Sequence, residues 1–254
     1  TTDTCAKISS TTVKVGSRVA RISAFAKGAG MIQPNLATML AFIYTDLAIP
    51  LPILRKLLKD ACDQSFNLIT VDGDMSTNDT VFLSSTGVVT PQKKIRSYDD
   101  PNLSDFKDKL KKITLDLAKK IILDGEGAKK FVIINVSGGL TRDSAKKVAL
   151  SIANSSLVKT AIAGGDPNWG RIMMAIGKSG EKINNSKVKI HIGKILLVKN
   201  SEGVNNKKIK LVEKYMKGKE INIDVDIGAG KAKSTIWTCD LTTGYVRINA
   251  DYKT

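Results

Sequence analysis

The sequence predicts a mixed α/β (α+β) fold arranged in two lobes. Short apolar runs rich in β-branched residues, typical of strands, alternate along the chain with segments whose apolar residues recur every three or four positions, typical of helices. Near the middle, the glycine-rich stretch Asp124-Gly125-Glu126-Gly127 is a usual place for a helix to stop. We therefore expect one lobe over residues 1–124 and a second over residues 125–254, both mixing strands and helices.

In the first lobe the apolar pattern predicts three strands and two helices. The strands are expected at residues 11–21, 66–71 and 80–83. The apolar run 38–47 predicts a buried helix that Pro50 and Pro52 end. A second, amphipathic helix starts at Ser104, which caps it, and continues to Asp124. The glycine loop Lys27-Gly28-Ala29-Gly30 follows the first strand.

The second lobe is expected to contain more strands than helices. Its strands are predicted at residues 131–136, 159–163, 221–227, 234–239 and 244–248, with a hairpin over 188–199 around Gly193. Its helices are predicted at residues 142–154, from Asp166-Pro167 onward, and from Lys207-Lys208 to near Gly218.

The composition is that of a basic globular protein. Among 254 residues, Lys plus Arg number 40 and Asp plus Glu 24, which gives a net charge of +16. Hydrophobic residues make up 42%, which excludes disorder and collagen as the main state. The positive charge is scattered lysine and aromatic residues are only 5%, whereas nucleic-acid binders concentrate arginine and aromatic residues on one surface. A nucleic-acid-binding protein is therefore a distant alternative.

The first residues of this sequence do not have the charged-then-apolar pattern expected of a signal peptide. The longest apolar stretch, 36–54, contains Asp46, Pro50 and Pro52, which argues against a membrane span. Because the chain opens on Thr1 without an initiator Met, we interpret it as a fragment or a processed product. Its three cysteines lack the spacing of disulfide or zinc sites, which favours the reducing cytoplasm.

Two apparent motifs lack the required spacing, and the single histidine does not indicate a catalytic site. Gly177-Lys178-Ser179 resembles the end of a phosphate-binding loop, but Ile172 occupies the position of the required first glycine. Asp72-Gly73-Asp74 begins like a calcium loop without its later glycine and glutamate. His191, the single histidine, alternates within a predicted strand, which favours a structural role.

With histidine nearly absent, a nucleophile must be activated in another way. An N-terminal threonine can use its own α-amine as the base, which requires cleavage of the backbone just before it. Thr38 fits this need because the small residue Ala37 precedes it and an apolar run follows. By itself this pattern also fits a threonine that caps a helix, so both interpretations stay open.

Several longer motifs carry a resemblance to one family. The chain resembles the ornithine acetyltransferase (glutamate N-acetyltransferase) family of arginine biosynthesis over its whole length, with the motifs in the same order. The motifs occupy residues 27–32, 37–42, 72–79, 125–128, 164–171 and 249–254.

The resemblance implies a layered fold, self-cleavage between Ala37 and Thr38, and acetyl transfer from N2-acetyl-L-ornithine to L-glutamate through an acetyl-Thr38 intermediate. It implies substrate contacts at six positions, which are Thr1, Lys27, Thr38, Glu126, Asn249 and Thr254. We assign Lys27 to a substrate carboxylate and Glu126 to a substrate ammonium. The close alternative is a related aminopeptidase or amidohydrolase in which water replaces glutamate.

The same resemblance implies a cytoplasmic enzyme built from its own cleaved α and β chains, two of each, with a C-terminal tail that returns to the active site. No metal, bound cofactor, nucleic acid or membrane is implied, although acetyl-CoA is a possible substrate.

Some positions depart from the family pattern. Ala29, Gln33 and Met75 replace common family residues without removing a reactive group. The family also has a Thr-Gly pair that forms the oxyanion hole upstream of the position of Thr1. Ser85-Thr86-Gly87 looks like that pair but follows the Asp-Gly-Asp motif, so we expect the oxyanion donors to lie outside these residues.

Overall fold

The computed structural model describes residues 2–33, 39–75, 79–204 and 208–251. It divides into two compact units, Thr1–Ile69 with Asp74–Asp124, and Thr70–Gly73 with Gly125–Thr254. The short segment Thr70–Gly73 thus belongs to the second unit, whereas the sequence analysis places it in the first lobe.

The first unit is a four-stranded sheet with helices on one face. The sheet order is β1-β2-β3-β4, in which β3 and β4 run parallel and the other neighbours run antiparallel. The strands are β1 (Lys7–Val15), β2 (Arg18–Lys27), β3 (Leu40–Leu47) and β4 (Thr80–Val89), and the helices are α1 (Leu51–Asp63) and α2 (Ser104–Leu123).

The core of this unit lies between the sheet and α2. Phe106, Leu110 and Leu117 of α2 are fully buried, as are Ile22 of β2 and Ile43 of β3. The long helix predicted from Ser104 is confirmed, but the predicted Ser104 cap is wrong, because Ser104 is the first helical residue and Leu103 occupies the capping position.

The opposite face of the sheet carries a row of large apolar side chains. Strand pairing aligns Ile8 with Phe25, Phe25 with Phe42 and Phe42 with Phe82 across all four strands. The Phe25 and Phe42 rings stack with centroids 5.2 Å apart. Ile8, Phe25 and Phe82 are exposed.

The helix predicted over residues 38–47 is wrong, because the described part of this run is strand β3. Ala41, Ile43 and Leu47 are buried on one face while Phe42 and Tyr44 point to the other, which is the two-residue period of a strand. The prolines therefore do not end a helix. Pro50 caps α1 and Pro52 lies in its first turn, where a missing backbone N–H costs nothing.

Two strand predictions in the first unit also change. The strand predicted at 11–21 is a hairpin of β1 and β2, turned at Gly16 with φ of 61°. Residues 66–71 contain the short 3₁₀ turn Phe66–Leu68 instead of a strand.

The second unit contains a six-stranded mixed sheet of order β10-β5-β9-β6-β7-β8, in which only β5 and β9 pair in parallel. The strands are β5 (Phe131–Gly139), β6 (Lys189–Ile192), β7 (Ile195–Lys199), β8 (Glu202–Gly203), β9 (Glu220–Asp226) and β10 (Ala232–Cys239). The helices are α3 (Arg142–Ala153), α4 (Ser156–Gly164), α5 (Trp169–Lys178), α6 (Ile209–Met216) and α7 (Thr243–Asp251).

Most predictions for this unit are confirmed, including strand β5 and the hairpin around Gly193. Two predicted strands, at 159–163 and 244–248, are instead parts of helices α4 and α7. A short apolar run fits either structure. At α4 the ends decide, because the Ser155 hydroxyl accepts from Val158 N–H and Gly165 closes the helix at φ of 72°.

The helix predicted from Asp166-Pro167 starts later, at Trp169, because Asn168 is its capping residue. Within the described ranges, no helix is both long and apolar enough to cross a membrane.

Candidate active site

Lys27 is the last residue of β2 and leads into the glycine loop. The next residue, Gly28, has φ of 140°, which side chains with a Cβ rarely allow. Its backbone N–H donates to the carboxylate of Asp3, at 2.9 Å to Oδ1. The loop that carries Lys27 is therefore anchored on the segment just before β1.

Met39, which directly follows the predicted nucleophile Thr38, is hydrogen-bonded to the start of β4. Its backbone N–H donates to Asp79 Oδ1 at 2.7 Å, and its carbonyl accepts from Thr80 N–H at 3.2 Å. The predicted cleavage residues Ala37 and Thr38 lie outside the described residues.

The carboxyl group of Asp79 lies within electrostatic reach of Lys27. Burial raises the pKa of Asp79 above its ordinary value, while the hydrogen bond from Met39 and the charge of Lys27 oppose that rise. The Asp79 carboxylate therefore interacts electrostatically with Lys27, the predicted substrate-binding lysine. It also accepts a hydrogen bond from Met39, the residue after the predicted nucleophile. That the Lys27 ammonium lies near Thr38 itself stays a prediction.

A cavity of about 250 Å³ opens beside Met39 and Asp79. Its lining is mostly apolar and also contains the polar residues Gln33, Asn67, Asp79 and Thr80. The lining includes Ile32, Gln33, Met39, Phe66, Asp79 and Val81.

In the second unit, Glu126 and Asn249 are paired. The Asn249 side-chain amide donates to Glu126 Oε2 at 2.6 Å and to the Tyr245 carbonyl at 3.1 Å. Asn249 lies on α7, whereas Glu126 lies in the loop before β5. Two of the predicted substrate-binding residues of this unit therefore meet although 123 positions separate them.

The loop 125–128 and the start of α7 are in close contact. Thr242 Oγ1 donates to the Gly127 carbonyl at 2.7 Å. Gly127 has φ of 67°, and a Cβ there would lie 2.2 Å from the Tyr245 backbone nitrogen. Only glycine fits at position 127, because the backbone of Tyr245 passes so close to it. This close approach and the Thr242–Gly127 hydrogen bond place the start of α7 against the loop that carries Glu126.

Buried charges hold the residues that precede α7. Asp240 Oδ1 accepts from the backbone N–H groups of Lys129 and Lys130 at 2.8 and 2.9 Å. Asp240 Oδ2 is buried and has no hydrogen-bond partner among the described residues. Lys159 donates through Nζ to Thr238 Oγ1 at 3.0 Å and to the Cys239 carbonyl. Burial lowers the pKa of Lys159, and the neighbouring Cys239 and Asp240 oppose that shift.

The predicted site residues thus have different outcomes. Lys27 is placed in the first unit, and Glu126 and Asn249 are paired in the second. Thr1, Ala37, Thr38 and Thr254 lie outside the described residues, so their roles stay predictions, as does the return of the tail to Thr38.

The sequence analysis missed three supporting residues, Asp79, Thr242 and Asp240. Asp79 belongs to the 72–79 motif, which we used for the calcium-loop comparison and for the family resemblance without assigning a role to Asp79. No local pattern signals Thr242 or Asp240, because their partners lie more than 100 positions away in the chain.

Ser85-Thr86-Gly87 lies inside β4, where it has a structural explanation. The Ser85 hydroxyl donates to the Leu47 carbonyl at 2.5 Å, and Gly87 has φ of 75° where the β3–β4 register shifts. The expectation that the oxyanion donors lie elsewhere stays a prediction. In the part of the chain that the structure describes, no group of three or more His, Cys, Asp or Glu could hold a metal ion.

Comparison with known proteins decides the family. The model of the ArgJ family matches residues 1–254. The chain belongs to the ArgJ family. This confirms the resemblance to ornithine acetyltransferases and the mixed α/β fold class.

Individual ArgJ relatives match the full chain. The arginine biosynthesis bifunctional protein ArgJ of Brucella suis biovar 1 (strain 1330) is 45% identical, with 100% of this chain and 62% of that protein covered. The protein of the same name from Ruegeria pomeroyi is 46% identical, with 100% and 60% covered. The chain therefore spans about three fifths of the length of these curated ArgJ relatives.

A solved ArgJ structure has the same fold. The crystal structure of arginine biosynthesis bifunctional protein argJ from Bacillus halodurans matches with a TM-score of 0.78 and 39% identity, over 83% of this chain and 98% of that one.

Proposed function

We propose that this chain is part of an enzyme that transfers the acetyl group of N2-acetyl-L-ornithine to L-glutamate in arginine biosynthesis. The observation that carries the proposal is the environment of the Asp79 carboxylate. This carboxylate accepts a hydrogen bond from Met39 N–H, and the positive charge of Lys27 acts to lower its pKa. One carboxylate thus interacts with both Lys27 and Met39, which supports a site that includes the proposed substrate-binding lysine and the proposed nucleophile Thr38. The names of the ArgJ relatives support the same pathway.

The reaction has two steps. The Thr38 hydroxyl attacks the acetyl carbonyl while its own α-amine, freed by cleavage of the Ala37–Thr38 bond, accepts the proton. The carbon–nitrogen bond to ornithine breaks, the ornithine amine takes a proton as it leaves, and an acetyl-Thr38 ester remains. The α-amine of glutamate then attacks this ester, which yields N-acetylglutamate and regenerates Thr38.

Charged side chains select amino-acid substrates. Lys27 binds the substrate carboxylate, and Glu126 binds the side-chain ammonium of ornithine. Asn249 orients Glu126 through the hydrogen bond of 2.6 Å. Thr1 and Thr254 complete the substrate contacts.

The tetrahedral oxyanion needs hydrogen-bond donors, each worth about 3 kcal/mol of transition-state stabilisation. We propose that a Thr-Gly pair upstream of Thr1 supplies them. No metal or bound cofactor takes part, and acetyl-CoA serves as an additional acetyl donor.

The working assembly contains two α and two β chains that arise from the cleavage. We place this assembly in the cytoplasm, where arginine precursors are made and used.

The decisive test supplies N-acetylornithine with and without glutamate. We expect N-acetylglutamate to form only when glutamate is present, together with an acetylated peptide that begins at Thr38. Release of acetate at the same rate without glutamate would instead identify the amidohydrolase alternative.

Self-cleavage is tested by Thr38→Ala. Because the hydroxyl performs both cleavage and transfer, the variant should remain one uncut chain and lose activity, as seen by intact mass and by the glutamate assay. A Thr38→Ala protein that still splits after residue 37 would refute the assignment of Thr38.

A further inference from the structure

The glycine loop after Lys27 depends on one acidic side chain. The N–H of Gly28 donates to both oxygens of the Asp3 carboxylate, at 2.9 Å to Oδ1 and 3.1 Å to Oδ2. Gly28 directly follows Lys27, so this contact fixes the backbone from which the Lys27 side chain extends.

Asp3 is itself held by a buried lysine. Lys7 Nζ lies 2.5 Å from Asp3 Oδ1 and 2.5 Å from Asp124 Oδ2. The Lys7 side chain is 0% exposed, that of Asp124 4% and that of Asp3 13%. The backbone N–H of Thr4 also donates to Asp124 Oδ2, at 3.0 Å. The network joins the segment before β1, the start of β1 and the end of α2.

Such a network is rigid because its members cannot move independently. One ammonium lies between two carboxylates, and any displacement of Asp3 leaves Lys7 or Gly28 with a weaker partner in a site that water scarcely reaches. The orientation of the Asp3 carboxylate is therefore set before any substrate binds.

We propose that Asp3 is a positioning residue that presets Lys27 for the carboxylate of the amino-acid substrate. This rests on the proposed function, in which Lys27 binds that carboxylate. Asp3 contacts the loop and not the substrate. A preset loop lowers the entropic cost of ordering Lys27 at each binding event, so Asp3 contributes to the recognition of one substrate group.

The test compares two substrates in the full-length enzyme. N-acetylornithine and N-acetylputrescine share the acetyl group and the side-chain amine, but the second lacks the carboxylate. For Asp3→Asn we expect kcat/KM for N-acetylornithine to fall about tenfold through a higher KM, and kcat/KM for N-acetylputrescine to stay within about twofold of wild type. Asn is uncharged, so it loses the ion pair with Lys7 that fixes the side chain, and it offers Gly28 N–H one oxygen instead of two.

The matched control is Asp143→Asn. Asp143 and Lys147 have the same spacing as Asp3 and Lys7, but their pair of 3.3 Å lies on the exposed surface of α3. This control should leave kcat/KM unchanged for both substrates. In a Lys27→Met background, Asp3→Asn should cause no further fall in the ratio of kcat/KM for N-acetylornithine to kcat/KM for N-acetylputrescine. The reason is that both changes remove the same recognition of the substrate carboxylate.

The outcomes separate the two proposals. Without acetyl transfer by the wild-type enzyme, the proposed function fails. With transfer in wild type, an equal fall for both substrates, or unchanged kinetics for both, overturns the role of Asp3. If Asp3→Asn does not fold, Asp3→Glu keeps the charge for Lys7 while moving the carboxylate relative to Gly28. That variant should also lose the preference for N-acetylornithine, and an unchanged preference overturns the proposal.

Discussion

At the residue scale, Lys27, Asp79 and Glu126 are the charged side chains around which the candidate site is described. Each lies at the end of a regular element, where a sheet or helix positions its backbone. Lys27 ends β2, Asp79 precedes β4 and Glu126 follows α2. Replacing such a residue should therefore change binding or chemistry more than it changes stability.

Lys27→Met should lower kcat/KM for N-acetylornithine by about 1.5–3 kcal/mol, the value of a charge-assisted hydrogen bond. Met is unbranched and of similar length to Lys, so the end of β2 should pack as before. Steady-state kinetics measures the effect, and Lys14→Met, at an exposed position of β1, is the control. Unchanged kinetics would make Lys27 a structural residue.

The acid stability of the first unit should depend on Asp124. Burial alone would raise the pKa of Asp124, but hydrogen bonds from Lys7 and Thr4 outweigh it and hold that pKa below its ordinary value. A lowered pKa in the folded state stabilises the protein above about pH 4, and this stability is lost as the pH falls further.

Asp124→Asn should therefore be less stable than wild type at neutral pH, with a shallower loss below about pH 4. Urea unfolding at a series of pH values measures this. The surface variant Asp116→Asn, which breaks the exposed pair with Lys120, should follow the wild-type curve closely. Parallel curves for wild type and Asp124→Asn would show that Asp124 is not the group responsible.

At the scale of elements, neighbours decide what a short apolar run becomes. The run 38–47 was expected to be a helix, but β2 and β4 offer hydrogen bonds on both sides of β3, and this pairing outweighs local propensity. Helix α7 shows the reverse, since residues 244–248 have the alternating pattern of a strand but form a helix. This helix begins directly after Thr242 in the chain, and the Thr242 hydroxyl donates to the Gly127 carbonyl.

Thr242→Val should loosen α7 because the Gly127 carbonyl loses its hydrogen bond of 2.7 Å while the volume of the side chain is kept. We expect a loss of about 1 kcal/mol, seen as faster hydrogen exchange in peptides that cover α7 and the 125–130 loop. Thr243→Val, the next residue along the chain and exposed, is the control. Equal exchange in the two variants would contradict the role of Thr242.

At the scale of the whole molecule, the exposed row on the first sheet is the least expected feature. Ile8, Phe25 and Phe82 form an exposed apolar strip that crosses all four strands with Phe42. Contiguous apolar surfaces of this kind favour association, so the strip should dominate the solution behaviour of the 254-residue chain.

The double variant Phe25→Thr/Phe82→Thr should bind less of a hydrophobic dye and self-associate less, because threonine suits a strand but removes the apolar surface. Dye fluorescence and light scattering measure this. Val246→Thr removes an isolated exposed apolar side chain from α7 and should have little effect. Equal scattering by all three proteins would mean that the strip does not drive association.

The sequence by itself determined the elements whose pattern is long or strongly periodic, such as α2 and β5, and it determined the family, because several motifs occur together in order. It also predicted Lys27, Glu126 and Asn249 as site residues, and their roles stay predictions. Tertiary structure alone decided that 40–47 is a strand, that Asp79 holds Met39, that Asp3 holds Gly28 and that Asn249 meets Glu126. The physical reason is that a local pattern reports which face of a segment is apolar, whereas these contacts join groups between 25 and 123 positions apart and exist only once the chain has folded.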